Sequence, residues 1–343
     1  MMNEEKFPPD PHPSDALMQI ANGVMVTQAL GVVAKLGIAD LIESGGERDV
    51  DELASASGSD RSALYRILRS LASIGVFTET SRARFAHTPV SRLLRSDVDG
   101  SMRSMAIFMA EPWHYNVWGD MLHSAKTGGT AWKATYGEEV FDWFQKHPAE
   151  SEIFNKAMTD MSSSVAPALV AAYDFSGINV LADIAGGHGF LLSQILKANP
   201  ALKGILFDMD HVIAGSAEML SKYGVEDRIE AVAGDFFREV PAADAYIMKH
   251  IIHDWDDERS VSIMKNIHTA MNGDGKLLLI EMVVPEGNEP HPSKILDLAM
   301  LALPGGLERT EAEYADLFEA AGFRLNRIVP TMSPFSVVEA VKA

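Results

Sequence analysis

The sequence reads Val180-Leu-Ala-Asp-Ile-Ala-Gly-Gly-His-Gly-Phe190 where an apolar run gives way to a helical pattern. Residues 180–184 predict a buried strand with a carboxylate, Asp183, near its end, and residues 191–196 predict the helix that follows. The glycines between them have no side chain that would hold a ligand away from the backbone. Free backbone amides at the start of the helix favour a negative group there. The pattern therefore predicts a nucleotide-type pocket at the end of a strand.

These glycines do not match two common phosphate-binding loops. A dinucleotide fingerprint requires a third glycine or alanine where this chain has Leu192, and the lysine with serine or threonine that a P-loop requires does not follow. An ordinary turn between a strand and a helix, or another kind of nucleotide site, is an alternative at this point.

Composition limits the classes of protein to which the chain can belong. It has 343 residues, 47% of them hydrophobic, which is enough for two domains, and it has no apolar run long enough to span a membrane. The absence of cysteine excludes disulfides, thiolate metal sites and thiol nucleophiles. A formal net charge of −19 repels nucleic acids and anionic membranes. With a polar N-terminus that lacks the features of a signal peptide, these properties predict a cytoplasmic protein with neither nucleic-acid nor membrane partners.

Residues 1–98 predict a winged-helix domain. A long helix with an apolar face over residues 16–41 is followed by predicted helices at 50–56 and 63–74 and by a hairpin of strands 76–80 and 84–88. Such domains can bind DNA, here through Arg61, Arg66 and Arg69 of the third helix. The acidic chain and the apolar face of the first helix favour a packing and dimerisation domain instead. We therefore expect a homodimer.

Residues 99–343 predict the second domain. Its first part, residues 100–175, is mostly helical and rich in aromatic side chains, which are usually core but are also candidates to line a pocket for a flat ligand. From Asn179 onward, apolar strands alternate with helices, which is typical of a doubly wound α/β sheet with an antiparallel end. The predicted strands are residues 180–184, 204–208, 229–233, 245–249, 276–283, 324–330 and 335–342.

Ligands of such sheets bind beyond the carboxyl ends of the strands. Asp208 ends the second predicted strand about 25 residues after Asp183, near the spacing at which an acidic residue binds a ribose diol. Asp235 and Phe236 follow the third strand with a carboxylate and a ring, a pair that can bind an amine and pack on a flat base. A helix cap at Asp208, and an ordinary turn followed by a core phenylalanine at Phe236, are the alternatives.

A second pattern also carries chemistry, Met248-Lys-His-Ile-Ile-His-Asp-Trp-Asp-Asp-Glu258. His253 lies just past a strand end, where an imidazole can act as a general base. Glu281 ends an apolar strand, where an unpaired charge is costly, and Glu308 lies in the loop 304–310. If both carboxylates converge on His253, they hold its tautomer and stabilise its protonated form.

The acidic residues after His253 offer an alternative. Together with His250 and His253, the acids Asp254, Asp256, Asp257 and Glu258 are candidate metal ligands. Acids at the start of a helix more often stabilise the helix dipole. A buried histidine held by hydrogen bonds is the other alternative for His253. We expect no metal.

In combination, these motifs resemble those of the plant-type small-molecule O-methyltransferases, such as the caffeate, chalcone and isoflavone enzymes, and of their bacterial relatives. The similarity extends over nearly the whole chain and rests on residues 183–189, 207–213, 234–237, 253–258 and 305–310. The resemblance implies a class I methyltransferase fold, in which a doubly wound α/β sheet follows an N-terminal winged-helix dimerisation domain. It also implies S-adenosylmethionine as the cofactor and S-adenosylhomocysteine as its product.

The resemblance implies roles for single residues as well. His253 is the implied general base, between Glu281 and Glu308. The implied cofactor contacts are Asp183, Ala185, Gly186, Gly187, Gly189, Asp208, Met209, Asp235, Phe236, Lys249 and Ser162. The implied walls of the acceptor pocket are Phe108, Met109, Trp113, Phe154, Met158, Asp254, Ala299, Met300 and Leu303. Ala185 departs from the family, which has glycine at this position.

The implied activity is methyl transfer from S-adenosylmethionine to a phenolic or other aromatic hydroxyl of a small molecule of secondary metabolism, with His253 removing the hydroxyl proton. The alternatives are an N-methyltransferase and a relative that binds the cofactor but performs hydroxylation, decarboxylation or pericyclic chemistry. A winged-helix regulator that senses a nucleotide-like ligand is less favoured because of the net charge.

Overall fold

A computed structural model describes residues 12–343 of the chain. Its contacts divide the chain into two compact units, one that ends at His114 and one that covers Tyr115–Ala343. The first unit has one hydrophobic core, and the second unit has two.

The first unit combines helices with a small antiparallel sheet. Its strands lie in the order β1-β3-β2 and are β1 (Glu47–Asp49), β2 (Phe77–Ser81) and β3 (Arg84–His87). Its helices are α1 (Pro13–Ala21), α2 (Gly23–Lys35), α3 (Ile38–Leu41), α4 (Val50–Ser57), α5 (Arg61–Ser73), α6 (Pro89–Arg92) and α7 (Arg103–Ala110), with α8 (Pro112–Tyr115) at the boundary. Helices followed by a hairpin agree with the predicted winged-helix arrangement, to which β1 adds a strand that the sequence pattern did not indicate.

The single long helix predicted over residues 16–41 is wrong in its extent. The chain forms three helices instead, because α1 and α2 are bent by 41° at Asn22 and Gly37 has a left-handed backbone with a φ of 64°. A left-handed residue cannot continue a right-handed helix, and glycine adopts this conformation without steric cost. The hydrophobic periodicity continues through both breaks, so the sequence pattern did not reveal them.

Helix α7 packs on α2 within the first unit. Gly31 lets the two helices approach closely, because a Cβ at this position would lie 2.1 Å from the Cβ of Ala110. Lys35 and Glu111 form an ion pair of 2.8 Å. The predicted domain boundary after residue 98 stays a prediction, and by its contacts α7 groups with the first unit.

The second unit is a doubly wound α/β domain with one seven-stranded sheet. The strands lie in the order β6-β5-β4-β7-β8-β10-β9, of which β4 to β8 are parallel and β10 is antiparallel to both of its neighbours. They are β4 (Val180–Ile184), β5 (Lys203–Asp208), β6 (Ile229–Ala233), β7 (Ala243–Lys249), β8 (Met271–Glu281), β9 (Phe323–Pro330) and β10 (Ser336–Lys342). The predicted parallel sheet and its antiparallel end are confirmed, although β8 begins earlier than the apolar pattern indicated.

Helices precede the sheet and connect its strands. They are α9 (Met121–Thr127), α10 (Ala131–Tyr136), α11 (Val140–Lys146), α12 (Pro148–Ala172), α13 (Phe190–Ala198), α14 (Asp210–Ile213), α15 (Ala217–Tyr223), α16 (Asp257–Ala270), α17 (Pro292–Ala302) and α18 (Glu311–Ala320).

The sheet is apolar on both faces, and each face belongs to a different hydrophobic core. In β7, Tyr246 and Met248 belong to one core, whereas Ala245 and Ile247 belong to the other. This alternation follows from the two-residue period of a strand. Because both faces are packed, polar side chains gather at the ends of the strands.

Among the described residues, no single helix is long and apolar enough to cross a membrane. Only the bent pair of α1 and α2, taken together, has the length and composition of a membrane-spanning segment among these residues. Three apolar side chains of α1, those of Leu17, Met18 and Ile20, are more than half exposed within the described chain.

Candidate active site

Charged side chains gather at the carboxyl ends of four neighbouring parallel strands. Asp183 lies near the end of β4, Asp208 ends β5, Lys249 ends β7 and Glu281 ends β8. Because the strands are adjacent in the order β5-β4-β7-β8, these residues lie along one edge of the sheet. Ligands of doubly wound sheets bind at this edge.

The loop after β4 runs through left-handed backbone. Ala185, Gly187 and Gly189 have φ angles of 56°, 60° and 81°. The amide of Ala185 donates to the carbonyl oxygen of Phe207 (2.7 Å), and the amide of Gly187 donates to Oδ2 of Asp208 (2.8 Å). The sequence pattern predicted free amides at the start of the following helix, whereas these two amides belong to the loop before it and donate to residues at the end of β5.

The glycines of this loop allow close packing against β4 on one side and leave open space on the other. A Cβ at Gly186 would lie 2.6 Å from Cγ of Asp183, so this glycine lets the loop pack on the strand. A Cβ at Gly187 would meet no atom within 4 Å, so that side of the loop is open.

Asp208 accepts hydrogen bonds from the amides of Met209 (2.7 Å) and Gly187 (2.8 Å), one on each carboxylate oxygen. Each oxygen keeps lone-pair capacity that ribose hydroxyls can use.

A cleft of about 670 Å³ lies at the ends of β5 and β6. Met209, Val232 and Gly234 contribute to its lining, and Asp235 adds a carboxylate. Oδ1 of Asp235 accepts a hydrogen bond from the amide of Phe237 (2.9 Å), which orients the carboxylate. Asp210, Arg238 and Glu239 also line the cleft, which is therefore partly charged. Apolar side chains beside the carboxylate of Asp235 suit a flat base that bears an amine.

His253 lies in a 3-10 turn, Ile252–Asp254, that follows β7. The residue is only 4% exposed, and its Nδ1 lies 2.5 Å from Oε1 of Glu308 and 3.7 Å from Oε2 of Glu281. Its Nε2 lies 3.6 Å from Oδ1 of Asp254. The two glutamates therefore converge on one ring nitrogen, and the other ring nitrogen faces Asp254.

Burial changes the protonation of the carboxyls around His253. It raises the pKa of Glu281 to about 7, and it raises the pKa of Glu308 to about 8 with a further contribution from Asp297. Burial likewise raises the pKa of Asp254 to about 7. Carboxyls with a pKa in this range hold protons that exposed carboxyls lose, and they exchange protons near neutral pH.

Lys249 contributes a positive charge at this edge of the sheet. Burial lowers its pKa to about 8, and the charges of Glu281, Asp183 and Asp254 oppose that change. Burial also raises the pKa of Asp183 to about 7, which the charge of Lys249 opposes. Lys249 is therefore within electrostatic range of both the glycine loop and the His253 cluster.

Two residues predicted to contact the cofactor, Ser162 and Phe236, contact other groups of the chain. The hydroxyl of Ser162 donates to the carbonyl oxygen of Met158 within α12 (2.8 Å). The ring of Phe236 packs on those of Phe237 and Trp255, with centroids 4.8 and 6.0 Å apart. This packing favours the alternative in which Phe236 is mainly a core residue.

The predicted acceptor-wall residues fall in both units, and the acceptor pocket stays a prediction. In the first unit, the ring centroids of Phe108 and Trp113 are 5.6 Å apart, and Met109 is exposed. In the second unit, Phe154 stacks on Phe144 at 4.9 Å. The remaining residues of this set there are Met158 in α12, Asp254 in the turn after β7, and Ala299, Met300 and Leu303 at the C-terminal end of α17.

Two further residues belong to the His253 cluster. Sequence reasoning considered His250 only as an alternative metal ligand, and it gave Arg309 no role. His250 stacks on His253, and its left-handed backbone has no signal in the sequence. Arg309 is fully buried beside Glu308 and donates hydrogen bonds to the backbone of the turn that carries His253. The sequence did point to Arg309, because this arginine directly follows Glu308, which the motif had already identified.

His253, Glu281 and Glu308 also offer ligand atoms within 4.8 Å of one another, a spacing that a metal ion accepts. Two ligands of one zinc ion are about 3.2 Å apart or more, because each bond is about 2.0 Å long and the geometry is tetrahedral. The 2.5 Å between Nδ1 of His253 and Oε1 of Glu308 is a hydrogen-bond distance instead. We therefore interpret the three residues as a hydrogen-bonded acid–base cluster.

Comparison with protein families accounts for the two units. A model described as the O-methyltransferase domain matches residues 116–324, and a model described as the O-methyltransferase dimerisation domain matches residues 18–97. The chain belongs to the O-methyltransferase family. The cofactor of this family is S-adenosylmethionine, and the predicted class I methyltransferase fold with an N-terminal dimerisation domain is confirmed.

Similar proteins place this methyltransferase in secondary metabolism. It is 47% identical to a phenazine O-methyltransferase of Lysobacter antibioticus, over 95% of the chain and 96% of the relative. It is 32% identical to the phenazine-1-carboxylate N-methyltransferase of Pseudomonas aeruginosa, over 95% and 97%. Its structure matches that of CalO1, a methyltransferase of calicheamicin biosynthesis in its S-adenosylhomocysteine-bound form, with a TM-score of 0.86, 36% identity and coverage of 97% and 100%.

The site of this methyltransferase fits the cofactor. The open side of Gly187 and the carboxylate of Asp208 follow neighbouring strands, and the cleft with Met209 and Asp235 begins at the same strand end as Asp208. Together they offer a hydrogen-bond acceptor for a ribose and a flat, partly apolar space for a base. The contacts of single residues with the cofactor are proposals.

Proposed function

We propose that this methyltransferase transfers the methyl group of S-adenosylmethionine to an aromatic hydroxyl of a small molecule, with His253 as the general base. One observation supports the proposal most strongly. Nδ1 of His253 lies 2.5 Å from Oε1 of Glu308, and Oε2 of Glu281 is 3.7 Å away on the same nitrogen. In its ionised form, Glu308 at Nδ1 favours the tautomer with hydrogen on that nitrogen. Burial raises the pKa of Glu308 to about 8, so this form predominates at alkaline pH, and a positive charge on the ring favours it at lower pH. Nε2 then carries the free lone pair and can accept a proton.

In this proposal, the proton of the hydroxyl passes to Nε2 of His253 as the oxygen attacks the methyl group. The imidazole then carries a positive charge, which Glu308 and Glu281 stabilise from the side of Nδ1. Asp254, 3.6 Å from Nε2, adds a third negative group when it is ionised. Because the cluster is buried, these interactions are stronger than in water. The new charge on the ring favours the ionised forms of the carboxyls in turn.

When bound, S-adenosylmethionine supplies a methyl group that is already electrophilic, since it is attached to a positively charged sulfur. The protein therefore has to align the reacting groups and remove the proton. Asp208 and Asp235 hold the nucleoside part in this proposal, and Lys249 and Ser162 lie toward the methionyl part. The cluster around His253 faces the acceptor molecule.

Oxygen is favoured over nitrogen as the methylated atom. A phenolic hydroxyl loses its proton during the attack, whereas an aromatic ring nitrogen attacks with a free lone pair and needs no base. The presence of a base that two carboxylates orient therefore favours a hydroxyl as the group that is methylated. Similarity to a phenazine O-methyltransferase supports the same choice, and similarity to a phenazine-1-carboxylate N-methyltransferase makes N-methylation the second candidate.

Product masses obtained with isotope-labelled cofactor test this proposal. The acceptors should be matched pairs that differ only in the hydroxyl, such as a hydroxyphenazine and phenazine itself. O-methylation predicts that label appears only on the hydroxylated member of each pair. Label on the member without a hydroxyl shows N-methylation, and a converted product without label shows a non-methylating activity. Either result contradicts the proposal.

We also propose that the first unit forms a homodimer. In α1, Leu17 and Ile20 are 67% and 78% exposed within the described chain, and Met25 of α2 is 63% exposed. Apolar side chains grouped in this way mark a protein interface. The match of residues 18–97 to a dimerisation domain supports the proposal. Light scattering on Ile20→Glu should show monomers if the interface includes α1, and an unchanged dimer would contradict that placement.

The regulator alternative is less favoured. It requires arginines of α5 that are free to bind a phosphate backbone. Arg61 forms an ion pair of 2.6 Å with Asp51, and the charge of the whole chain is −19. We therefore propose small-molecule partners without nucleic acid.

A further inference from the structure

Arg309 is a charged side chain with no exposed surface. Its Nη1 donates to the carbonyl oxygen of Ile252 (3.1 Å), and its Nη2 donates to that of Trp255 (2.9 Å). These two carbonyls lie on either side of His253 in the chain, and Arg309 directly follows Glu308. The guanidinium therefore connects the turn that carries the proposed base with the loop that carries its carboxylate.

The same loop contacts the turn at two further points. The amide of Leu307 donates to the carbonyl oxygen of His253 (2.9 Å). A Cβ at Gly306 would lie 1.9 Å from that oxygen, so a glycine is needed for the two segments to come this close. With the contacts of Arg309, the backbone of the turn is held before, at and after His253.

The countercharge of Arg309 lies near the surface. Nε and Nη2 both donate to Oδ1 of Asp257, at 3.1 and 2.8 Å, and the side chain of Asp257 is 74% exposed. The guanidinium is planar, and its donors have fixed directions. Two carbonyls and one carboxylate around such a group therefore define a rigid geometry.

We propose that Arg309 is a positioning residue that sets the distance and orientation between His253 and Glu308. The proposal rests on the proposed function, in which His253 accepts the proton. Without the guanidinium, the carbonyl oxygens of Ile252 and Trp255 lose their shortest hydrogen bonds and keep longer ones, such as those from the hydroxyl of Ser260 at 3.4 and 3.3 Å. The turn is then held less firmly against the loop. A displacement of about 1 Å in an active site can reduce a rate by about a hundredfold. Lysine keeps the charge but cannot bridge the same three acceptors, because it lacks the planar fork.

A comparison of Arg309→Lys with Arg228→Lys tests the proposal. Arg228 is a matched control, because its guanidinium also donates to backbone carbonyl oxygens, those of Leu196 (2.9 Å), Asn199 (3.1 Å) and Leu202 (3.1 Å). Both variants should have a lower melting temperature than the wild type. We expect kcat to fall about tenfold or more in Arg309→Lys alone, with an unchanged KM for the cofactor. An equal kcat in the two variants would overturn the proposal.

A second readout requires no substrate. The hydrogen between Nδ1 of His253 and Oε1 of Glu308 lies in a short hydrogen bond, so its proton NMR signal should appear far downfield, and His253→Gln identifies it. In Arg309→Lys this signal should move upfield or broaden, whereas in Arg228→Lys it should not change. An unchanged signal in Arg309→Lys contradicts the proposal. If His253→Gln retains full methyl transfer, the proposed function fails, and the signal still shows whether Arg309 positions the ring.

A second pair of variants covers the case in which Arg309→Lys does not fold. Asp257 and Glu258 are exposed acids in the first turn of α16, and of these two Asp257 is the one bonded to Arg309. Asp257→Ala should shift the His253 signal and lower kcat by a smaller factor than Arg309→Lys, while Glu258→Ala should leave both unchanged. Equal behaviour of these two variants would overturn the proposal.

Discussion

The ring of His250 stacks on the ring of His253, with centroids 4.7 Å apart and planes inclined by 22°. Burial, together with the charge of nearby Lys249, lowers the pKa of His250 well below its ordinary value, so this imidazole is neutral at physiological pH. Its backbone has a φ of 57°, which is uncommon for a residue other than glycine. Strain of this kind is found where a side chain has to be held in a particular place. A neutral ring is thus held against the proposed base.

Two substitutions of His250 separate its ring from its nitrogen atoms. His250→Phe keeps a flat ring, so kcat should stay close to that of the wild type. His250→Asn tolerates the left-handed backbone but removes the ring, so kcat should fall about tenfold while cofactor affinity is unchanged. Steady-state kinetics and calorimetry of cofactor binding measure these effects. Equal values of kcat for the two variants would show that the stacked ring does not position His253.

Replacement of His253 tests the general base. His253→Gln should slow methyl transfer about a hundredfold or more, which is the usual contribution of a positioned base, and should leave cofactor binding nearly intact. Glu281→Gln and Glu308→Gln should each have a smaller effect, since these residues act through the imidazole. With an acidic phenol, higher pH should partly restore the rate of His253→Gln, because the phenolate then forms without a base. Coinciding pH–rate profiles of wild type and variant would assign proton removal to another group.

Ala185→Gly should stabilise the protein by about 1 kcal/mol. Ala185 has a φ of 56°, a left-handed conformation that costs an alanine about 1–2 kcal/mol. The greater freedom of glycine in the unfolded chain offsets part of this gain. Urea unfolding measures the difference, and Gly186→Ala is a destabilising control, because its Cβ would lie 2.6 Å from Cγ of Asp183. A loss of stability in Ala185→Gly would contradict the expected strain.

Glu308→Gln should make stability less dependent on pH. Burial raises the pKa of Glu308 to about 8 in the folded protein, from an ordinary value of 4.5. Between about pH 4.5 and pH 8, the folded protein therefore binds more protons than the unfolded chain, and the free energy of unfolding decreases as the pH rises. Glutamine does not ionise, so the decrease should be smaller in the variant. Urea unfolding at several pH values within this window measures both slopes, and identical slopes would contradict the shift.

The sheet and the acid–base cluster were predictable because both follow from strand ends. Apolar runs showed the parallel strands, and their carboxyl ends share one edge, so Asp208 and Glu281 were expected at the same edge of the sheet without any contact being known. His253 was a candidate because it lies just past a strand end, and the family resemblance implied its place between Glu281 and Glu308. The sequence could not show that Glu308 contacts Nδ1 of His253. This contact depends on how two loops fold together whose residues are 55 positions apart in the sequence.

Other features depend on backbone conformation, which hydrophobic patterns do not report. Gly37 ends a helix inside an uninterrupted apolar pattern, and His250 adopts a left-handed conformation without being glycine. The amide of Gly187 binds Asp208 within the protein, although a glycine loop suggests that such amides face a ligand. Arg309 was overlooked because an arginine on a polar loop usually lies at the surface, whereas here it is fully buried.

The close approach of Gly306 to the carbonyl oxygen of His253 has a consequence for folding. The two segments belong to different connections of the sheet, so the pair of His253 and Glu308 exists only after β7 and β8 have assembled and both loops have closed over them. A partly folded chain can contain either segment, but it has no assembled base. In refolding experiments, recovery of methyl transfer therefore reports completion of the second unit, and it should lag behind the recovery of helical signal.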